Sequence, residues 1–137
     1  MPIETFDETV IVADNDSMMR GLLRTVLERS GRTVLLCADG IEAVELATQT
    51  LATLVLLDLR MPRMDGIEAC LQLRELPRYA SVPIVILTVF DGEALRRRAL
   101  RAGATSFLAK PFSRGALLAV VDPLIEAYKR KMELERY

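Results

Sequence analysis

The sequence contains no histidine. That absence removes Ser-His and Cys-His hydrolases, histidine-ligated zinc and iron, and any enzyme that carries phosphate on its own imidazole. The chemistry must fall to carboxylates, hydroxyls, lysine and backbone. Cysteine is scarce: Cys37 and Cys70 sit in apolar surroundings with no metal-type spacing, and they read as small buried hydrophobes of a reducing compartment. No apolar run approaches the roughly 18 residues that a membrane-spanning helix needs, so no membrane partner is expected. The opening MPIETFDET is acidic and lacks a basic start followed by an apolar stretch, so no secretory signal is read and the chain is expected in the cytoplasm. Linkers, repeats and low-complexity segments are missing too, which leaves 137 residues for one domain.

What is present is 51% hydrophobic and 27% charged, far from the composition of a disordered chain. Charge is unevenly spread. Residues 1–59 hold 4 basic and 10 acidic side chains and residues 60–137 hold 14 and 9, which points to an acidic site in the first half. The net charge of −1, with no recognisable binding motif, speaks against direct nucleic-acid binding by this domain.

Five short apolar runs punctuate the chain: VIVA at 10–13, TVLLC at 33–37, LVLL at 54–57, PIVIL at 83–87 and SFLA at 106–109. Each precedes a stretch of helical periodicity, beginning near Ser17, Gly40, Gly66 and Gly92 and after Ser113. Runs apolar on nearly every residue are strands covered by helices on both faces, so the expected fold is α/β, a (βα)5 doubly wound parallel five-stranded sheet.

In such sheets ligands bind beyond the carboxyl ends of the strands. There the sequence places Asp14, Asn15 and Asp16, then Asp58, Thr88 and the pair Lys110-Pro111. Carboxylates gathered at one edge repel each other unless a cation joins them, and a hard divalent ion such as Mg2+ (or Mn2+) answers that cost with one or two protein carboxylates. Lys110 adds a fixed positive charge and Thr88 a hydroxyl. The set suits a phosphoryl group in transit, with Asp58 as nucleophile. Each residue also has a plain structural reading: Asp14 or Asp16 as a helix cap, Thr88 as a loop hydroxyl, Lys110 as a solvated cation.

LLDLRMPRMDG at 56–66, with IVADND, VILT and AKPF around it, closely resembles the receiver domain of two-component response regulators, including the single-domain chemotaxis members. The resemblance covers about residues 7–127. It implies a flavodoxin-like sheet of order 2-1-3-4-5, Asp58 as the phosphoacceptor, and a sensor histidine kinase or phosphotransfer protein as the donor of phosphate. It also implies Mg2+ held by Asp14, Asn15, Asp58 and the backbone carbonyl of Arg60, with Lys110 and Thr88 on the phosphate oxygens. Thr88 and Phe107 would form the conformational switch, and the Lys110-Pro111 peptide would be cis. A receiver of this kind catalyses its own phosphorylation and dephosphorylation without turning over substrate as a conventional enzyme does.

The sequence departs from the family in places. Asn15 stands where a second metal-binding carboxylate is usual, so weaker metal affinity is expected. Val89 follows the threonine where a smaller residue is preferred. Together with Arg60 and Phe90 it could narrow the path of attacking water and slow loss of the phosphoryl group. Asn15 and Val89 also motivate the alternative, a phosphorylation-independent interaction module of the same fold. A dehalogenase-type phosphatase would need an acid where Arg60 stands, and a flavin carrier a phosphate loop where Asp14, Asn15 and Asp16 stand.

The resemblance places the output surface on the fourth helix, fifth strand and fifth helix, where Arg96, Arg97, Arg98 and Arg101 could dock a partner or support a homodimer. Asp122-Pro123 interrupts the last helix, as a kink or as the start of a second helix. Residues 128–137 then form a C-terminal helical extension, read as a connector to an output module beyond Tyr137 or as a dimer-forming helix.

Overall fold

A computed structural model describes residues 7–89 and 92–135. The apolar runs form the strands β1 (Thr9–Ala13), β2 (Thr33–Cys37), β3 (Leu54–Asp58), β4 (Ile84–Thr88) and β5 (Ser106–Ala109). All neighbouring strands pair in parallel, in the order β2-β1-β3-β4-β5. The helices are α1 (Ser17–Arg29), α2 (Gly40–Gln49), α3 (Gly66–Glu75), α4 (Glu93–Arg101) and α5 (Arg114–Glu135), with a 3-10 turn at Pro77–Tyr79. The expected fold class and strand order both hold.

Strand residues alternate between two cores, because successive side chains leave opposite faces of a sheet. Ile11, Val55, Leu57, Ile84 and Ile86 face α2, α3 and α4, while Val10, Leu54, Leu56, Val85 and Leu87 face α1 and α5. Both cysteines are buried, and burial pushes the Cys37 thiol up to about 12 and that of Cys70 to about 11, so neither is a reactive thiolate. Among the described residues no helix is long and apolar enough to cross a membrane.

Polar side chains start most helices. Asp16 caps α1 by accepting from the Met18 N–H at 2.9 Å, Asp65 caps α3 through the Glu68 N–H at 2.8 Å, and Ser113 accepts from the Ala116 N–H at 3.0 Å. Asp39, a cap that the sequence reading passed over, holds the Glu42 N–H at 2.9 Å.

Beyond Asp122-Pro123 the chain continues as one helix, with Pro123 inside it. Pro123 cannot donate to the carbonyl one turn back, but burial carries the helix through: Val121, Ile125 and Tyr128 are buried and Met132 packs against the core. An ion-pair network holds the same region. Arg32, only 8% exposed, donates to Glu8 at 3.0 Å and Asp122 at 2.6 Å, and Lys129 reaches Glu8 at 2.8 Å. Within residues 128–137, Tyr128 is buried and Met132 is half-buried against the core.

Tyr79 is fully buried, donating its hydroxyl to the Thr50 carbonyl at 2.7 Å and accepting from the Ala52 N–H at 3.0 Å. Tyr79→Phe strands both backbone groups and should lower stability by about 1–3 kcal/mol, read from the urea midpoint. A change below a few tenths of a kcal/mol would show that neither bond matters.

Candidate functional site

The strand order reverses between β1 and β3, which have β2 on one side and β4 on the other. Asp14 follows the last residue of β1 and Asp58 is the last of β3, so both stand at the switch point where such sheets bind ligands. Lys110, just past β5, reaches over the ends of β4 and β3 to meet them. Its Nζ lies 2.7 Å from Asp14 Oδ2 and 3.4 Å from Asp58 Oδ1. Asp14 is fully buried, and Asp58 and Thr88 nearly so.

Each member is held by its backbone. Asp14 donates its N–H to the Cys37 carbonyl at 3.1 Å, and its own carbonyl accepts from Arg20 of α1 at 2.7 Å. Its second carboxylate oxygen, Oδ1, accepts from the Asp16 N–H at 2.9 Å. The Lys110 N–H donates to the Thr88 carbonyl at 2.8 Å, and the peptide that follows, Lys110–Pro111, is cis.

The loop after Asp58 is pinned at both ends. The Gly66 N–H donates to the Leu59 carbonyl at 2.9 Å, and a Cβ on Gly66 would collide with the carbonyl oxygen of Asp58, so only glycine lets α3 begin this close. Arg63 takes a positive φ of 65° and grips buried Asp39 with two donors at 3.0 and 2.6 Å. The Glu42 N–H and Arg63 hold the Asp39 carboxyl below its ordinary range against the opposing effect of burial. Arg63, Asp39 and Arg20 were missed by the sequence reading. Asp39-Gly40 ahead of α2 carries a cap signal, but an ion pair spanning 24 residues leaves no local trace.

Burial and the neighbouring Asp14 charge raise the Asp58 carboxyl above its ordinary value, and Lys110 and the Arg60 N–H only partly offset them. Two carboxylates against one ammonium leave a negative charge uncompensated. Asn15 and Arg60 are both exposed and line, with Asp65 and Arg98, a cleft of about 550 Å³ beside this group. The donors these residues could offer a metal, the Asp14 and Asp58 carboxylates, the Asn15 amide and the Arg60 carbonyl, are all oxygens, the kind that a hard cation such as Mg2+ takes. Among the described residues no three acidic or cysteine side chains gather as a metal cluster.

Thr88 and Phe107 line one small cavity between the sheet and α4, together with Leu59, Ile86 and Ala99. Val89 is 64% exposed, and Phe90 lies outside the described residues.

A profile of the response regulator receiver domain matches residues 10–122. The response regulator MprA of Mycobacterium ulcerans is 39% identical over 120 residues, 88% of this chain and 51% of its own length. MprA of Mycobacterium sp. (strain KMS) is 40% identical over 116 residues, 85% of this chain and 50% of its own. The chain thus spans about half the length of the curated relatives it matches. Among solved structures, the Vibrio cholerae chemotaxis protein CheY4 superposes with a TM-score of 0.84 at 28% identity, over 87% of this chain and 99% of that one. The receiver domain of sensor histidine kinase PA1611 from Pseudomonas aeruginosa, which has a magnesium ion coordinated in its active-site cleft, gives 0.82 at 30% identity, over 88% and 99%.

A carboxyl whose proton affinity is raised by folding subtracts from stability once the pH lies above both its unfolded and its folded value, and the penalty is relieved as pH falls through the folded value. In metal-free buffer Asp58→Asn should therefore be more resistant to urea than wild type at pH 7.5, and the gap should narrow toward pH 4. A variant that is less stable at pH 7.5 contradicts the raised value.

Proposed function

The chain belongs to the response regulator receiver family, and on that premise we propose that Asp58 accepts a phosphoryl group from the imidazole of a sensor histidine kinase or phosphotransfer protein. The observation that carries the reading is Lys110 seated between Asp14 and Asp58 at the switch point of the sheet. One carboxylate oxygen of Asp58 forms a bond to phosphorus as the P–N bond of the donor breaks. The electron pair of that bond leaves with the imidazole, which takes up a proton. The fixed loop and the Arg60 N–H aim Asp58, so the backbone of this chain supplies the positioning on which phosphoryl transfer mostly depends.

Lys110 contributes a preorganised positive charge for the phosphoryl oxygens, and the Thr88 hydroxyl a hydrogen-bond donor. Asp14, Asn15, Asp58 and the Arg60 carbonyl would hold Mg2+, which supplies charge neutralisation at those oxygens when bound. With one amide in place of a carboxylate, affinity for the ion is reduced. Arg60 and Val89, both exposed beside the acceptor, are read as narrowing the approach of water. The expected setting is the cytoplasm. Phosphorylation then acts through Thr88 and Phe107 on the surface of α4, β5 and α5, which addresses a partner, a second copy or an output domain.

Asn15 favours one second reading, a phosphorylation-independent docking module. Incubation with Mg2+ and acetyl phosphate followed by intact-mass measurement separates the two. Wild type should gain the mass of one phosphoryl group and Asp58→Ala should gain none. Wild type that stays unmodified under every donor supports the docking module instead.

A further inference from the structure

Phe107 faces Ile86 across the β4–β5 pair and is only half-buried, packing with Leu95 against the core. From α4, Arg96 lays its guanidinium over the ring, 5.2 Å from guanidinium carbon to ring centroid. The cavity that the ring and Thr88 share holds only about 10 Å³, room for one water and not for a phenyl group. Inward rotation of the ring therefore goes together with displacement of Thr88, in a minor population when no donor is present.

We propose that Arg96 is a positioning residue for the switch: its guanidinium holds the Phe107 ring in the half-exposed position and so sets the resting population of the inactive packing. A planar cation over an aromatic face gains from the ring quadrupole, and the gain is lost when the ring swings away. Inward rotation breaks this contact, and the guanidinium loses its ring on a helix that already presents Arg97, Arg98 and Arg101. Ring position and the charge character of the α4 surface thereby change together. The inference rests on Phe107 being the aromatic of the phosphorylation switch.

The test is NMR of the chain labelled with ring-13C phenylalanine, with the Phe107 signal assigned by Phe107→Leu. Phe112, which packs against the core on the α1 and α5 side of the sheet, serves as the internal control for an intact fold. Arg96 is exposed, so Arg96→Met removes the cation without opening the core. Without any donor, Arg96→Met should shift the ratio of inward to outward ring signals by about two- to fivefold toward inward, the size of an exposed cation–π contact. Arg96→Lys should restore part of that shift. A Phe107 signal in Arg96→Met identical to wild type, with the Phe112 signal unmoved, overturns the proposal. Addition of Mg2+ and acetyl phosphate to wild type tests the underlying reading separately: an unmoved Phe107 signal on a phosphorylated chain sinks its role as the switch, whereas the donor-free comparison of variants decides the brace alone.

Discussion

Lys110 places one positive charge against two carboxylates at the edge of the sheet where the strand order reverses, and much of the surrounding structure serves to keep it there. Asp14 is fully buried, and such a charge is tolerable only when paired and hydrogen-bonded. Lys110 provides the pairing and the Asp16 N–H the hydrogen bond. Asp58 has the weaker share of the lysine, at 3.4 Å against 2.7 Å, and its proton affinity is raised. Asp58 is thus the less satisfied of the two acids. An incoming cation or a phosphoryl group with its own counterion would relieve what the lysine leaves uncompensated.

Precision at Asp58 comes from contacts outside the charged group. Gly66 lets α3 close against the Asp58 backbone, and the Arg63–Asp39 pair fastens the same loop to the start of α2. Because Asp39 and Asp65 each cap a helix as well, the helix starts and the loop geometry are fixed by one set of bonds. At the opposite end of the sheet the Glu8–Arg32–Asp122 network does the same for α5. Arg96 extends the pattern to α4 and β5, where a cation on one element lies over a ring on the other.

The fold could be read from the sequence because its signals are local and repeated: five continuous apolar runs, each followed by helical periodicity, allow little besides a covered parallel sheet. The candidate site was legible for the same reason, since Asp14, Asp58, Thr88 and Lys110 are each the first polar residue behind an apolar run. What could not be read are pairings across distance. Arg63 with Asp39, Arg20 with the Asp14 carbonyl and Arg96 with Phe107 depend on the packing of elements far apart in the chain or on side-chain direction. Of the two readings of Asp122-Pro123, a kink or the start of a second helix, the unbroken α5 overturns the second: the burial of Ile125 and Tyr128 that carries the helix past the proline is a tertiary property. Phe90, named from sequence, lies outside the described residues.

The central claim is that the carboxylate beside Lys110 at the end of β3 carries the phosphoryl group as a mixed anhydride. Borohydride reduces such an acyl phosphate to the alcohol, turning the modified aspartate into homoserine while leaving free carboxylates intact. Treatment of the chain with Mg2+ and a small phosphodonor, then borohydride, then peptide mass mapping, should place homoserine at position 58 alone. Homoserine at position 14, at position 16 or nowhere would contradict it.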